Sequence, residues 1–340
     1  MKTITKEYKE WIKNISQRYK RSQIKAAMQV NGEMLKFYFE LGKDINQLSF
    51  KAEYGSEFYD KLSKDLMKEL PEVRGLSSRN LRYMERFYLM YERKVRNCHK
   101  LWQNLFSIPW SHHRCIIDKC RNVEKALFFV NKILENNWSR NILCDFLNTN
   151  LYEREGKSVN NFKASLPGVD GILANQIIKD PYNFDFLTIR KDYDEKELKQ
   201  ALMDNVVKFL LELGSGFSFV GKEYRLTVGN GELYIDMLFY NIKIHSYVVI
   251  ELKTTTFKAE YIGQLSAYVG AVNHLLKSEK DGTTIGLLIC KDKNDILAKY
   301  TIEGVNFPLG ISNFELNKVL FENYKGTLPT IEEIESELKG

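Results

Sequence analysis

Residues 234–253 read YIDMLFYNIKIHSYVVIELK. In the second half of this stretch, a strand places Glu251 and Lys253 on one face and the apolar Val248 and Ile250 on the other. A carboxylate and an ammonium at the end of an apolar strand are costly to bury unless they pair or bind a ligand. The stretch therefore predicts a strand whose end carries either an ion pair or a functional site.

The first half of the same stretch carries one acid, Asp236, among apolar and aromatic residues. A short connection between the two strands predicts an antiparallel meander, which lays Asp236 beside Glu251. Two converging carboxylates are hard oxygen ligands suited to Mg²⁺, and Lys253 adds a positive charge suited to a phosphate. The same residues also fit an internal ion pair of Lys253 with either acid, and their spacing alone leaves both interpretations open.

The sequence around this stretch changes between helical and strand-like patterns. Periodicity predicts helices at 194–213 and about 259–277, and strands at 217–220, 224–228, 233–240, 246–253 and 284–290. The order is one helix, four strand segments that we count as a three-stranded meander, a second helix and a further strand. We therefore predict an α+β protein whose residues 193–340 form a domain with an αβββαβ core.

The N-terminal part of the chain has helical periodicity throughout. We predict helices at 22–48, about 56–70 and about 78–94, followed by further helices as far as residue 151. Residues 1–150 are thus predicted to form an all-helical domain, and residues 151–192, which contain prolines and glycines, a connecting segment.

The predicted helix at 78–94 carries Arg79, Arg82 and Arg86 on its polar surface, after a turn that contains Gly75. A helix, a short glycine-containing turn and an arginine-rich helix outline a helix-turn-helix, which would make these arginines nucleic-acid contacts. A plain packing hairpin has the same pattern and remains an alternative.

The charge of the chain differs between its two halves. Residues 1–150 carry 28 Lys and Arg against 17 Asp and Glu, whereas residues 151–340 carry 22 against 27. A basic half suits a phosphate backbone and an acidic half suits a divalent cation. The chain begins with charged residues and has no apolar run of about 20 residues, so we expect a cytoplasmic protein without a membrane partner.

Cysteine and histidine residues gather between positions 98 and 120, where Cys98, His99, His112, His113, Cys115 and Cys120 lie. Their residue types suit zinc, but their spacing matches none of the usual zinc modules. We expect buried thiols and hydrogen-bonded histidines here, with a structural or interface role for the His112–His113 pair.

Asp236, the Glu251-Leu252-Lys253 triplet fifteen residues later, and a following helix with Gln264 and Tyr268 resemble the PD-(D/E)XK nuclease superfamily. The segments 212–217 (ELGSGF) and 257–264 (FKAEYIGQ) resemble its YhcG-like branch more closely. The resemblance covers most of the chain and is strongest from about 195 to 291. One departure is Ile235, which stands where the nominal motif has proline.

The resemblance implies a helical, winged-helix-like N-terminal domain joined to a restriction-endonuclease-like C-terminal domain. It implies that Asp236 and Glu251 bind the metal, with the backbone carbonyl of Leu252 as a further ligand, and that Lys253 is the catalytic lysine. Gln264 and Tyr268 would line the cleft. Many members add an acid from the first core helix, and Glu212 is our candidate, ahead of Glu197 and Asp204.

These expectations converge on an endonuclease that cuts DNA with Mg²⁺, for which Mn²⁺ should substitute. A homodimer is expected for double-strand cleavage, because one metal site cuts one strand. The alternative is a non-catalytic nucleic-acid-binding scaffold that retains the nuclease fold within a defence or mobile-element assembly. A third interpretation, a helical protein that binds a protein partner, explains the strands and the uneven charge poorly.

Overall fold

The computed structural model describes residues 6–48, 55–95, 98–166, 168–317 and 319–320. The chain divides into two compact units, Met1–Tyr152 and Glu153–Gly340. The segment predicted as a connection, 151–192, lies almost entirely within the second unit, where it contributes short helices and strands. Of the residues that suggested a connection, Pro181 lies between two of these elements, Gly168 and Gly171 lie within a helix, and Pro167 lies outside the described residues.

The described part of the first unit is helical and contains no strand. Its helices are α1 Lys6–Gln47, α2 Phe58–Glu69, α3 Ser78–Val95, α4 His99–Ser107, α5 Trp110–Lys119, α6 Val123–Asn136, α7 Arg140–Asn148 and α8 Leu151–Arg154, which crosses into the second unit, and a 3₁₀ turn spans Gly55–Glu57. The helices predicted at 56–70 and 78–94 correspond closely to α2 and α3. Helix α1 begins well before the predicted position 22, so the prediction missed residues 6–21. Their apolar side chains recur at helical spacing, at Tyr8, Trp11, Ile15 and Tyr19, but are exposed among many charged residues.

Aromatic side chains form the centre of the helical unit. Phe39 of α1 packs edge-on against Phe87 of α3, with ring centroids 5.6 Å apart, and against Phe106 of α4 at 6.2 Å. Helices α1 and α3 approach so closely at Gly42 that a Cβ atom there would clash with the carbonyl oxygen of Met84. The absence of a side chain at Gly42 therefore sets the spacing between these two helices.

The second unit combines helices with a mixed sheet. Its further helices are α9 Phe162–Ser165, α10 Gly168–Ile177, α11 Glu195–Asp204, α12 Val206–Leu213, α13 Tyr261–Leu275 and α14 Asp295–Glu303. Its strands are β1 Val159–Asn160, β2 Tyr182–Asn183, β3 Ile189–Arg190, β4 Phe217–Val228, β5 Gly231–Asn241, β6 Ser246–Thr256, β7 Ile285–Asp292, β8 Leu309–Glu315 and β9 Val319–Leu320.

The main sheet runs in the order β1-β8-β7-β6-β5-β4. Strands β4, β5 and β6 form an antiparallel meander, whereas β6, β7 and β8 are parallel. Helices α11 and α12 pack on one face of the sheet, and α13 packs on the other. The predicted α+β class with an αβββαβ core is confirmed, and α14 and β8 extend it.

Two predicted elements differ in detail. The single helix predicted at 194–213 is broken at Asn205 into α11 and α12, where the Asn205 side chain donates a hydrogen bond to the Ala201 carbonyl (3.1 Å). The two strands predicted at 217–220 and 224–228 form one strand, β4, with a register shift between Phe219 and Gly221. The irregularity interrupts the strand pattern in the sequence without ending the strand.

The close approach of α1 and α3 predicts that Gly42→Ala destabilises the helical unit. The new methyl group meets backbone atoms of Met84, which cannot rotate away, so the helices must separate at a cost of about 1–3 kcal/mol. Thermal unfolding followed by circular dichroism should show a lower midpoint.

Gly32→Ala, on the same helix, is the matched control. A Cβ atom at Gly32 would lie 3.4 Å from its nearest neighbour, the Phe106 carbonyl oxygen. Alanine there should be neutral or should stabilise the helix by up to about 1 kcal/mol. Equal destabilisation of the two variants would contradict the close-approach argument.

Candidate functional site

The antiparallel ladder between β5 and β6 ends where the two strand acids meet. The last pair in register is Met237 with Ile250, and the next pair in the same register would be Asp236 with Glu251. The Leu252 N–H instead donates to Oδ2 of the Asp236 side chain at 3.2 Å. The carboxylate of Asp236 thus accepts a main-chain hydrogen bond at the end of the sheet, on the edge where Glu251 lies.

Glu251 is fully buried, with 0% of its surface exposed. The Lys253 ammonium lies 2.8 Å from its Oε1 atom, yet neither Glu251 oxygen has a hydrogen bond of good geometry from any residue that the structure describes. Burial, followed by the charge of Asp236, raises the pKa of Glu251 to about 7. A buried carboxylate with unused lone pairs is a favourable ligand for a cation.

Two lysines and a third acid complete a continuous line of alternating charges. Lys253 lies 3.4 Å from Glu195 Oε1, and Lys199 lies 2.8 Å from the same oxygen. Lys199 also lies 2.5 Å from Asp236 Oδ1. We refer to the five residues, Asp236, Lys199, Glu195, Lys253 and Glu251, as the charge chain.

The lysines of the charge chain are held in their charged form. Burial acts to lower the pKa of Lys199, but its contacts with Asp236 and Glu195 outweigh burial and raise it. The pKa of Lys253 is likewise raised, because its ion pair with Glu251 and the surrounding negative charges outweigh burial. Both ammonium groups therefore carry a positive charge across the ordinary pH range.

The helix acid beside the strand acids is Glu195, which the sequence pattern did not single out. Helix α11 begins at Glu195 because Asp194 and Glu197 form a reciprocal capping box. The structure does not bring Glu197 or Asp204 into the charge chain: Glu197 closes the cap and pairs with Arg190, and Asp204 accepts a hydrogen bond from Gln200. The capping signal and the i, i+4 pair of Glu195 with Lys199 are the features that could have identified this position.

Glu212 lies apart from the charge chain, in a buried ion pair of its own. Its side chain pairs with Arg154, whose Nη2 lies 3.1 Å from Oε2, and it also accepts a hydrogen bond from the Asn183 N–H at 2.9 Å. Lys179 donates to the backbone carbonyl of Glu212. These partners make Glu212 a structural acid at the end of α12.

Gln264 and Tyr268 face the same region from α13. The Gln264 side-chain amide donates to the Tyr268 hydroxyl at 2.8 Å. Burial raises the pKa of Tyr268, and the negative charges of Glu251 and Asp236 raise it further. The hydroxyl of Tyr268 therefore lies within the field of the strand acids, and a role of Tyr268 in lining a cleft stays a prediction.

The donor set fits a divalent cation in its chemistry. Asp236 and Glu251 provide carboxylate oxygens, and both oxygens of Glu251 lack hydrogen bonds among the described residues. Within the described ranges, no group of three or more His, Cys, Asp or Glu side chains is arranged so that it could hold a metal ion. Water and phosphate oxygens would thus have to complete the coordination, as is usual for Mg²⁺.

Comparison with known families decides the affiliation. The profile of the YhcG PDDEXK nuclease domain matches residues 175–329, and the profile of the DUF1016 N-terminal domain matches residues 14–154. The chain is a YhcG-like protein. A curated protein of Escherichia coli (strain K12), named "Putative nuclease YhcG", is 28% identical over 341 residues, which cover 91% of this chain and 88% of that protein.

Solved structures match this YhcG-like protein over a smaller part. A repair endonuclease from Pyrococcus abyssi is 20% identical over 37% of this chain and 48% of its own, with a TM-score of 0.25. The apo form of EndoMS is 21% identical over 37% of this chain and 47% of its own, with a TM-score of 0.24. The chain spans about half the length of these solved proteins.

The histidine pair lies in the core of the helical unit. His113 Nε2 lies 2.8 Å from the Leu105 carbonyl oxygen, and His112 Nε2 lies 2.9 Å from that of Trp138. Burial lowers the pKa of His113 to about 4, so its ring is neutral. Such contacts to main-chain oxygens are those of packed, hydrogen-bonded histidines.

The three arginines of α3 differ in their surroundings. Arg86 pairs with Asp118 at 3.1 Å and donates to the Ile117 carbonyl at 2.7 Å. Arg82 stacks over the Tyr59 ring at 4.2 Å, and Arg79 lies 5.9 Å from the Tyr83 ring centroid. All three arginines are exposed, and the guanidinium of Arg86 in addition forms an ion pair and a main-chain hydrogen bond within the unit.

The pKa of Glu251 predicts a pH-dependent stability of the metal-free protein. In the unfolded chain the carboxyl loses its proton near pH 4.5, whereas in the folded protein it keeps the proton up to about pH 7. The free energy of unfolding should therefore fall as pH rises between these values, by up to about 1.4 kcal/mol per pH unit.

Glu251→Gln, which keeps the shape and removes the titration, should lack this contribution. The measurement is the denaturation midpoint in EDTA from pH 5 to 8, with the difference between wild type and variant taken at each pH. A difference that does not change with pH would contradict the raised pKa.

Proposed function

We propose that this YhcG-like protein is a divalent-metal-dependent endonuclease that hydrolyses phosphodiester bonds of DNA. The observation that carries the proposal is the meeting of Asp236, Glu251 and Lys253 at the end of the β5–β6 ladder, with a buried Glu251 carboxylate whose lone pairs are unused. If these residues formed only a structural ion pair, the carboxylate oxygens would be expected to accept hydrogen bonds. Carboxylate oxygens without hydrogen bonds are instead suited to a metal that assists hydrolysis.

Asp236 and Glu251 would hold the metal, with the Leu252 carbonyl as a further oxygen ligand, while Glu195 would lie beside the site as a counter-charge to the two lysines. Mg²⁺ or Mn²⁺ bound there would acidify a water molecule and neutralise charge on the scissile phosphate. The distances from Glu195 Oε1 to Lys199 (2.8 Å) and to Lys253 (3.4 Å) support this role for Glu195.

The remaining residues would act on the substrate directly. Lys253, kept in its charged form beside Glu251, would bind a phosphate oxygen and stabilise the charge that develops during hydrolysis. The Gln264 amide and the Tyr268 hydroxyl, 2.8 Å apart, would orient the phosphate or Lys253. Each residue thus has a separate task in the reaction.

The alternative function is a non-catalytic nucleic-acid-binding scaffold. The complete set of two strand acids, a lysine, a helix acid and the glutamine–tyrosine pair counts against it, because a scaffold has no chemical need for them. Cleavage is the observation that separates the two functions.

Asp236→Asn and Lys253→Met should each reduce plasmid cleavage by at least about 10²-fold, because each removes a charge on which hydrolysis depends. The assay follows supercoiled, single-stranded and branched DNA in Mg²⁺ or Mn²⁺, with EDTA as the blank. Undiminished cleavage by either purified variant would overturn the site.

Lys243→Met is the matched control. Lys243 is an exposed lysine in the turn between β5 and β6, at the opposite end of the hairpin from Asp236, and its replacement should leave cleavage unchanged. If wild-type protein cleaves none of the substrates, the scaffold alternative is favoured.

Helix α1 supports nucleic acid as the partner. Between Lys6 and Val30 it carries seven Lys and Arg against two Glu, and every residue from 8 to 30 is exposed. Lys9, Lys13 and Lys20 lie on one side of the helix, and like charges at this spacing repel each other until an anion binds. We propose that this surface contacts the phosphate backbone together with Arg79 and Arg82, while Arg86 contributes less.

Replacing Lys9, Lys13 and Lys20 together by Gln should weaken binding to duplex DNA in EDTA. The slope of log affinity against log salt should decrease in magnitude by about 0.9 for every phosphate that the variant no longer neutralises. The measurement is fluorescence anisotropy over a range of salt concentrations.

A second variant, with Lys258, Lys280 and Lys299 replaced by Gln, has the same reduction in net charge at exposed sites in the other unit. An equal decrease in slope for both variants would contradict a specific role for α1. A homodimer and a cytoplasmic location stay predictions, and no helix within the described ranges is long and apolar enough to cross a membrane.

A further inference from the structure

The ammonium group of Lys199 lies beside Asp236, where a metal bound to this carboxylate would be expected. Its ammonium lies 2.5 Å from Asp236 Oδ1 and 2.8 Å from Glu195 Oε1, and only 14% of its side chain is exposed. The other oxygen of Asp236 accepts the Leu252 N–H. Each oxygen of Asp236 therefore already has a positively polarised partner.

The carboxylates of the charge chain no longer need a second lysine to neutralise them once a divalent cation is bound. Three carboxylates and two ammonium groups give the charge chain a net charge of −1 when all five are ionised. A divalent cation changes that charge to +1, and the ammonium nearest to Asp236 then repels the cation across a few ångströms of partly buried space. The ammonium of Lys199 and the divalent cation therefore cannot both lie close to Asp236 without mutual repulsion.

We propose that Lys199 is a resident counter-cation that competes with the divalent metal for Asp236. Its position follows from the fold, since one helical turn separates it from Glu195 and directs both side chains of α11 to the end of the sheet. In the metal-free protein Lys199 neutralises Asp236, and metal binding requires that the ammonium leave Asp236 Oδ1. Lys199 is a positioning residue in this scheme, because it acts through Asp236.

The proposal rests on the proposed metal site at Asp236 and Glu251. It differs from a purely structural ion pair in one measurable respect. A structural ion pair stabilises the fold without opposing the metal, whereas a competing ammonium must lower metal affinity. The decisive quantity is thus the affinity of the full-length protein for Mn²⁺, measured without nucleic acid.

The experiment compares wild type, Lys199→Met, Lys199→Arg and Asp236→Asn by Mn²⁺ titration, with free Mn²⁺ followed by electron paramagnetic resonance. Lys199→Met should bind Mn²⁺ about 5-fold or more tightly than wild type, the lower end of typical couplings between two bound groups. Lys199→Arg, which retains the charge, should not show this gain. Lys196→Met, which replaces an exposed lysine on the same helix, is the matched control and should bind as wild type does.

Thermal unfolding in EDTA gives a second measurement. Lys199→Met should unfold at a lower temperature, because one ammonium then faces three carboxylates, and Mn²⁺ should raise its midpoint more than that of wild type. A folded Lys199→Met protein with unchanged or weaker Mn²⁺ affinity would overturn the proposal, whatever its midpoint.

The outcomes separate this proposal from the proposed function. If wild type binds Mn²⁺ and Asp236→Asn does not, the metal site stands, and the Lys199→Met result alone decides the role of Lys199. If neither wild type nor Lys199→Met binds Mn²⁺, both the metal site and the competition are refuted.

Discussion

The burial of the Glu251 carboxylate constrains the whole C-terminal site. A fully buried carboxylate within an apolar strand carries a large desolvation penalty, which the protein offsets with an adjacent ammonium and a raised pKa rather than with a full set of hydrogen bonds. The other charged partners of the strand acids come from helix α11, whose Lys199 pairs with Asp236 and whose Glu195 pairs with Lys253. The end of the sheet is the place where residues from both of its faces can meet.

Much of this arrangement was predictable from the sequence because it follows from strand geometry. Alternation placed Glu251 and Lys253 together on one face, and the short β5–β6 turn fixed the register of a ladder that ends at Met237 and Ile250, next to Asp236 and Glu251. The helix after β6 presents Gln264 and Tyr268 one turn apart, as i, i+4 spacing requires. These relations are local, or depend on one short connection, and a sequence pattern can determine them.

The contribution of α11 could not be predicted in the same way. Glu195 and Lys199 contact strand residues about 37 to 58 positions away, and the rotation of the helix on the sheet decides which side chains reach them. Treating residues 194–213 as one continuous helix also obscured the break at Asn205, which separates Glu212 from the site. In the helical unit, composition alone likewise could not show that Arg86 is paired with Asp118 while Arg82 lies on a tyrosine ring.

The Arg154–Glu212 pair has a consequence for where the C-terminal unit begins as an independently folding piece. A fragment that begins at position 193, the domain boundary predicted from the sequence, would retain Glu212. It would lack Arg154, Lys179 and the Asn183 N–H, which form the ion pair and hydrogen bonds of Glu212. Leaving one partner of a buried ion pair alone costs about 3–5 kcal/mol, a large part of the stability of a typical domain. The smallest autonomous fragment of this unit must therefore start before Arg154, because the buried acid of α12 takes its counter-charge from a segment that precedes the αβββαβ core in sequence.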